Sequence, residues 1–213
     1  MYDVIFDLDG TLWDATEQTR GVWNRVFERH PEIDVRVTPS AQRALMGRTM
    51  PEIGAALFPG TDPAFQRAVM DEIGRAEVAW LCAHGGALYE GVGETLHELR
   101  GTRRLYIVSN CQDGYVQAFM DYHGLRACFE DFEMSGRTGL DKPDNLRLLM
   151  ARNGVERAVY VGDTRGDEAA AAAAGIPFVH AAYGFGRAES PDAAIRALPE
   201  LPAALRRMEA AHE

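Results

Sequence analysis

Four short polar runs carry the residues that could do chemistry: DLDGT at 7–11, SN at 109–110, GLDKPDN at 139–145 and GDTRGD at 162–167. Asp7 and Asp9 stand one residue apart, directly after the apolar run Val4, Ile5, Phe6. Two carboxylates this close repel each other unless a cation or a proton lies between them. Ser109 with Asn110, and Asp163 with Asp167, also follow apolar runs that read as strands. Ligands of a parallel sheet bind at the carboxyl ends of its strands. Three strand ends bearing acids and a hydroxyl therefore predict one shared site. Carboxylates meeting there call for a hard cation with oxygen ligands. Magnesium fits best, since it takes one or two carboxylates together with waters and phosphate oxygens.

The basic residues add an independent argument. Of 22 lysines and arginines, only Lys142 is a lysine. An ammonium is a compact charge on a flexible stem and a guanidinium is a wide planar fork, so the exception suggests a confined position. A divalent cation and Lys142 would balance the charges of Asp7, Asp163 and Asp167, leaving the site neutral before an anionic substrate arrives.

Positioning these groups requires a parallel sheet. Strand-like runs are read near 2–7, 104–109, 158–163 and 176–180, with a weaker one near 129–133. Helical runs lie between them. The run 113–123 puts Val116, Phe119, Met120 and His123 on one stripe, and the alanine-rich 166–174 ends at Gly175 and Pro177. This alternation predicts an α/β core whose sheet is covered by helices on both faces. The long interval between the first two strands exceeds one crossover. From 15 to 82 it reads as helical, with turn signals at HPEID, PG and TDP and apolar spacings such as Val22, Val26 and Ile73, Ala76, Trp80. The expected organisation is a core of 1–14 and 83–213 with a small all-helical module of 15–82 inserted after the first strand. Gly85, Gly86, Gly91 and Gly93 would form a flexible return.

At 213 residues, 46% hydrophobic and 25% charged, the chain has the composition of a globular protein. A formal charge of −10 argues against nucleic acid and anionic membranes as partners. The N-terminus lacks the pattern of a signal peptide and no apolar run is long enough to cross a membrane. Cys82, Cys111 and Cys128 are scattered and odd in number, which points to a reducing cytoplasm. A monomer is the default expectation, with a dimer left open.

The ordered set DLDGT, SN, Lys142 and GDTRGD resembles the four motifs of the haloacid dehalogenase superfamily, over essentially the whole chain. GLDKPDN and YGFG at 183–186 are similar to its phosphoglycolate phosphatase-like branch. Each motif alone has an ordinary explanation as a turn or a helix cap, whereas four in order do not. The resemblance implies a Rossmann-like core, a helical cap, Mg2+ and phosphoryl transfer through an aspartyl phosphate. By it, Asp7 is the nucleophile and Asp9 the acid and base. Asp7, the backbone carbonyl of Asp9 and Asp163 hold the metal, with Asp167 a further ligand or an orienting acid. Ser109 and the amides of Asn110 and Cys111 cradle the phosphoryl oxygens beside Lys142, while Gly10 and Thr11 shape the turn beneath the phosphate.

The implied substrate is a small phosphorylated metabolite, with phosphoglycolate the leading candidate. Arg48, in LMGRTMPE, is the one specific substrate contact expected, through a carboxylate. A phosphomutase of the same superfamily is the alternative enzyme, and a phosphoaspartate receiver module the alternative from another class. In a receiver, however, the phosphoacceptor ends an internal strand and no long helical insertion follows the first acids. His30, His84, His97, His123, His180 and His212 show no ligand spacing. Cys111 reads as space-filling, and Trp13, Trp23 and Trp80 as packing residues.

Overall fold

The computed structural model describes residues 1–211, so His212 lies outside the described residues. Strand β1 (Asp3–Phe6) and the short β2 (Trp13–Asp14) open the chain. Four helices follow: α1 (Thr16–Phe27), α2 (Pro39–Arg43), α3 (Met50–Leu57) and α4 (Pro63–His84). Strand β3 (Ala87–Leu88) then leads to α5 (Val92–Arg100), β4 (Leu105–Ser109), α6 (Tyr115–Tyr122) and β5 (Asp131–Met134). Next come α7 (Ser135–Thr138), α8 (Lys142–Asn153), β6 (Ala158–Gly162) and α9 (Arg165–Ala174). The described chain closes with β7 (Phe178–Ala181), β8 (Ala193–Ile195) and α10 (Leu201–Ala210).

Six strands form one parallel sheet in the order β5-β4-β1-β6-β7-β8. Alternation along each strand sends successive side chains to opposite faces. Val4, Phe6, Ile107, Val159 and Val161 enter one apolar cluster with residues of α5, α6 and α10. Ile5, Tyr106, Val108 and Tyr160 enter the other, against α8 and α9. The sheet is thus buried on both faces, as a Rossmann-like α/β core requires. From β1 the chain steps outward through β4 and β5, then resumes on the other side at β6. That change of direction makes the carboxyl end of β1 a topological switch point. Phe6 pairs with Ile107 on one side and Val161 on the other, which sets Asp7 beside the ends of β4 and β6.

The helices α1 to α4 bury their own apolar cluster, including Val22, Trp23, Val26 and Phe27 of α1 with Val69, Met70 and Ile73 of α4. Helix α4 starts where expected of a proline helix: Pro63 sits in its first turn and the Asp62 carboxylate accepts from the amides of Ala64 at 2.6 Å and Phe65 at 3.1 Å. Ile73 of the expected apolar spacing is buried, Ala76 and Trp80 are half-buried against the same cluster, and Gly74, Glu77 and Leu81 are buried beside them. The i+4 steps from Ile73 to Glu77 and Leu81 drift around the helix and carry Leu81 into the main core. The return through Gly85 and Gly86 contains a strand: β3 runs antiparallel to β2, with Trp13 opposite Leu88 and Asp14 opposite Ala87.

Each expected strand is present within a few residues of its reading. Strand β8 and helix α10 had no counterpart in that reading. Three residues of β8 are too short to show alternation, although α10 buries Leu201, Ala204, Leu205 and Met208 at helical spacing. Among the described residues no helix is long and apolar enough to cross a membrane.

Candidate active site

Asp7 leaves β1 at the centre of the sheet, and its amide donates to Val161 O at 2.8 Å, which ties it to β6. Lys142, the first residue of α8, reaches in from the next crossover. Its Nζ donates to Asp7 Oδ1 at 2.9 Å and Asp167 Oδ1 at 2.6 Å, with all three side chains buried. The start of α8 is fixed by Asp141, whose side chain accepts from the Asp144 amide at 3.0 Å, so the lysine stem points from a rigid helix end. Burial disfavours the ammonium, but Asp167 and Asp7 outweigh it and hold the Lys142 pKa well above its ordinary value. Burial likewise opposes charge on Asp167, yet Lys142 keeps that carboxyl below its usual range. Asp167 is doubly committed, because its Oδ2 accepts from the Thr164 amide at 2.9 Å and hydroxyl at 2.6 Å in the capping box of α9.

Asp163 follows β6. Its Oδ2 accepts from the amides of Phe185 at 2.6 Å and Gly186 at 3.2 Å, and among the described residues its buried Oδ1 has no partner. One oxygen from each of Asp7, Asp163 and Asp167 lies within 4.8 Å of the others. Burial pushes the Asp163 carboxyl up to about 8 and the Asp7 carboxyl to about 6; in Asp163 the neighbouring acids add to this, and in Asp7 Lys142 partly offsets it. An orphaned, desolvated oxygen facing two more carboxylates is a donor set that fits a hard divalent cation. The backbone is built around it. Gly10 has φ +83°, and a Cβ there would come within 2.3 Å of Asp163 Oδ2. A Cβ at Gly184 would meet Asp163 Cβ at the same 2.3 Å.

Above Asp7 a small cavity of about 40 Å³ separates the sheet edge from the inserted helices. Asp9, Ser109, Cys111, Tyr115 and Lys142 line its floor; Trp23, Arg48, Met50, Ile53 and Glu77 line its roof. Tyr115 donates to Asp9 Oδ1 at 2.9 Å. Burial, with Asp7 and Glu77 nearby, outweighs that bond and pushes Asp9 up to about 8. That shift favours the protonated acid. The segment after Ser109 joins floor to roof: Asn110 Nδ2 donates to Gly47 O at 2.8 Å and Gln112 Nε2 to Glu77 Oε2 at 2.8 Å.

The model of the haloacid dehalogenase-like hydrolase family matches residues 4–181. The chain belongs to that family. Among curated relatives it is 29% identical over 193 residues to a phosphoglycolate phosphatase of Caulobacter vibrioides, covering 85% of this chain and 79% of that one. It is 31% identical over 198 residues to a phosphoglycolate phosphatase of Rhodospirillum rubrum, covering 86% of this chain and 80% of the other. The crystal structure of CbbY from Rhodobacter sphaeroides in complex with phosphate superposes with a TM-score of 0.83 at 24% identity, over 97% of this chain and 99% of that one, a likeness of fold. This haloacid dehalogenase-like hydrolase is an enzyme of the phosphatase class.

The fold of the hydrolase brings Asp7, Lys142, Asp163 and Asp167 together, and gathers Asp9, Ser109, Asn110, Cys111 and Arg48 around the adjoining cavity. Gly10 and Thr11 do not line that cavity. Gly10 packs on Asp163, and the Thr11 carbonyl accepts from Tyr183 at 2.8 Å, so both shape the turn that carries Asp9. Helix α6 begins at Tyr115, two residues later than its periodicity predicts, which leaves the amides of Asn110 and Cys111 in a loop. Cys111 is free, and burial pushes its thiol far above the range of a nucleophile. Trp23 and Trp80 pack in or against the cluster of the inserted helices, and Trp13 in the main core.

Four residues at the site have no assigned part in the sequence analysis. Tyr115 lies inside an amphipathic helix, where its hydroxyl gives no signal. The Phe185 and Gly186 amides belong to YGFG, a run visible in the sequence but without a stated task. Glu77 could have been found as the one acid on the buried stripe of α4.

Proposed function

We propose that this enzyme is a magnesium-dependent phosphatase that hydrolyses a small phosphate monoester through an aspartyl phosphate on Asp7. The observation that carries the reading is the buried ammonium of Lys142, bonded to Asp7 and Asp167 beside the unpartnered Asp163 Oδ1. Asp7, Asp163 and the backbone carbonyl of Asp9 would hold Mg2+, with Asp167 orienting Lys142. When bound, the ion supplies charge neutralisation between nucleophile and phosphate and fixes the phosphoryl group's orientation.

Asp7 attacks phosphorus with a carboxylate oxygen while the ester P–O bond breaks. Asp9 gives its proton to the departing alkoxide. Water then attacks the phosphoaspartate, Asp9 takes a proton from that water, and Asp7 leaves as a carboxylate. The raised pKa of Asp9 supports the first half of this cycle, since it favours the protonated acid. Ser109 and the amides of Asn110 and Cys111 face the transferring oxygens, and Lys142 offsets charge on Asp7 as it reacts. Residues 15–82 act as a cap that excludes water when closed, a role supported by the hydrogen bonds of Asn110 and Gln112 to Gly47 and Glu77.

The relatives nominate phosphoglycolate as the first ester to try, and Arg48, exposed at the edge of the cavity, could pair with its carboxylate. Three free cysteines support a reducing, cytoplasmic setting, and a monomer is the default assembly. The decisive assay measures phosphate release from a panel of phosphorylated metabolites with Mg2+. Asp7→Asn is expected to lower kcat by about a thousandfold or more, and excess EDTA to abolish turnover. Wild-type rates in Asp7→Asn would remove the proposed nucleophile.

A further inference from the structure

The roof of the cavity holds an acid with no part in phosphoryl transfer. Glu77 sits in the middle of α4 and is 3% exposed. Its carboxylate accepts from Trp23 Nε1 of α1 and from Gln112 Nε2 of the loop after β4. An ionised carboxylate offers about four acceptor directions, so these two donors leave capacity open. The neighbouring hydroxyls have partners of their own, although that of Thr19 also bears on the Glu77 carboxyl. Thr16 Oγ1 donates to Asp14 at 2.6 Å, while Thr19 Oγ1 donates to Ala15 O at 2.9 Å and accepts from Gln42 at 2.9 Å. Leu45, Met46, Met50 and Ile53 complete the wall with apolar surface. A leaving group lodged there meets this apolar wall with Glu77 as the acid of the roof and Arg48 at its exposed edge.

We propose that Glu77 determines specificity: it accepts a hydrogen bond from a hydroxyl or amino group on the leaving portion of the substrate and rejects leaving groups that carry a carboxylate. The inference rests on the reaction proposed at Asp7 and narrows its substrate class to phosphate esters of polyols, sugars or amino alcohols. Two carboxylates in a desolvated cavity repel strongly, whereas a neutral donor gains a charge-assisted bond. A site built to bond one polar group discriminates against analogues that leave it unpaired. Arg48 lines the same cavity and favours the opposite outcome for phosphoglycolate, so kinetics decide between the two side chains.

Glu77→Gln isolates the charge. Its carbonyl can accept from Trp23, and its new amide group can face Gln112 once the Gln112 amide turns to present its own oxygen. The experiment measures kcat/KM with Mg2+ at pH 8 for glycerol phosphate and hexose phosphates against phosphoglycolate, in wild type and Glu77→Gln. Wild type should favour the hydroxylated esters. Glu77→Gln should lower that preference by about 10- to 100-fold, through loss on the hydroxylated esters and gain on phosphoglycolate. A purely structural role would move all substrates together and leave the ratio unchanged. An unchanged ratio, or a wild-type preference for phosphoglycolate, overturns the role of Glu77. If Asp7→Asn still abolishes turnover in that case, the proposed reaction stands and only Glu77 loses its part. If wild type hydrolyses none of these esters, both fall.

Discussion

Lys142 has two acid partners and no exit to water, so its replacement should be felt twice. Lys142→Gln leaves Asp7 and Asp167 facing each other in a buried site, and loss of one member of such a group typically costs about 3–5 kcal/mol. The expected result is a lower urea midpoint together with a loss of turnover. Lys142→Arg should rescue little of either, because a planar fork cannot place one nitrogen between two carboxylates 2.9 and 2.6 Å away without displacing the walls. A variant with wild-type midpoint and rate would show the ammonium to be dispensable. At this scale much of the site was legible in the sequence. Acids at strand ends and a solitary lysine are unusual where they stand, so Asp7, Asp163, Asp167 and Lys142 announce themselves. Tyr115 and Glu77 do not, because a hydroxyl or an acid within a helix looks like any solvated group until the buried face is known.

Turns and helix faces set the next level of constraint. The turn after β1 needs Gly10, since φ +83° and a 2.3 Å approach to Asp163 both exclude a side chain. Gly10→Ala should lower stability by about 2 kcal/mol or more, and it should weaken metal dependence because the displaced group is the Asp163 carboxylate. Urea unfolding with and without Mg2+ checks both. Helix α4 makes a second, separate prediction. Burial pushes the Glu77 carboxyl up to about 7 from 4.5, against the pull of Trp23 and Gln112. A raised folded-state pKa means that its contribution to stability is complete below pH 4.5 and is lost as pH rises through 7. Glu77→Gln should therefore match wild type near pH 4 and exceed it at pH 8, by at most about 3 kcal/mol. Equal stability of the two proteins at both pH values would mean that the acid is not desolvated. The strands were readable because buried parallel strands are continuous apolar runs. On α4 the face of Ile73, Ala76 and Trp80 was readable as well, but the burial of Glu77 and Leu81 beside it was not, since it depends on Leu81 packing in the main core.

For the molecule as a whole, a cation bound only by the folded acid cluster must stabilise the fold. Mg2+ at about a hundred times its Kd should add about 2.7 kcal/mol, read as a rise in thermal midpoint that disappears in Asp163→Asn. No shift in wild type would contradict the cation site. That helices fill the interval between β1 and β4 was legible from its length, but the pairing of β2 with β3 was not, because two-residue strands carry no pattern. The sheet edge, the inserted helices and the loop that touches both meet around Lys142, which is 5% exposed, whereas Met1 is 67% exposed. An acylating reagent in solution therefore finds the single lysine side chain of this sequence shielded in the native fold. Covalent capture at position 142 would then report the opening of the core through a single mass increment, giving this protein a built-in chemical clock for unfolding without any introduced label.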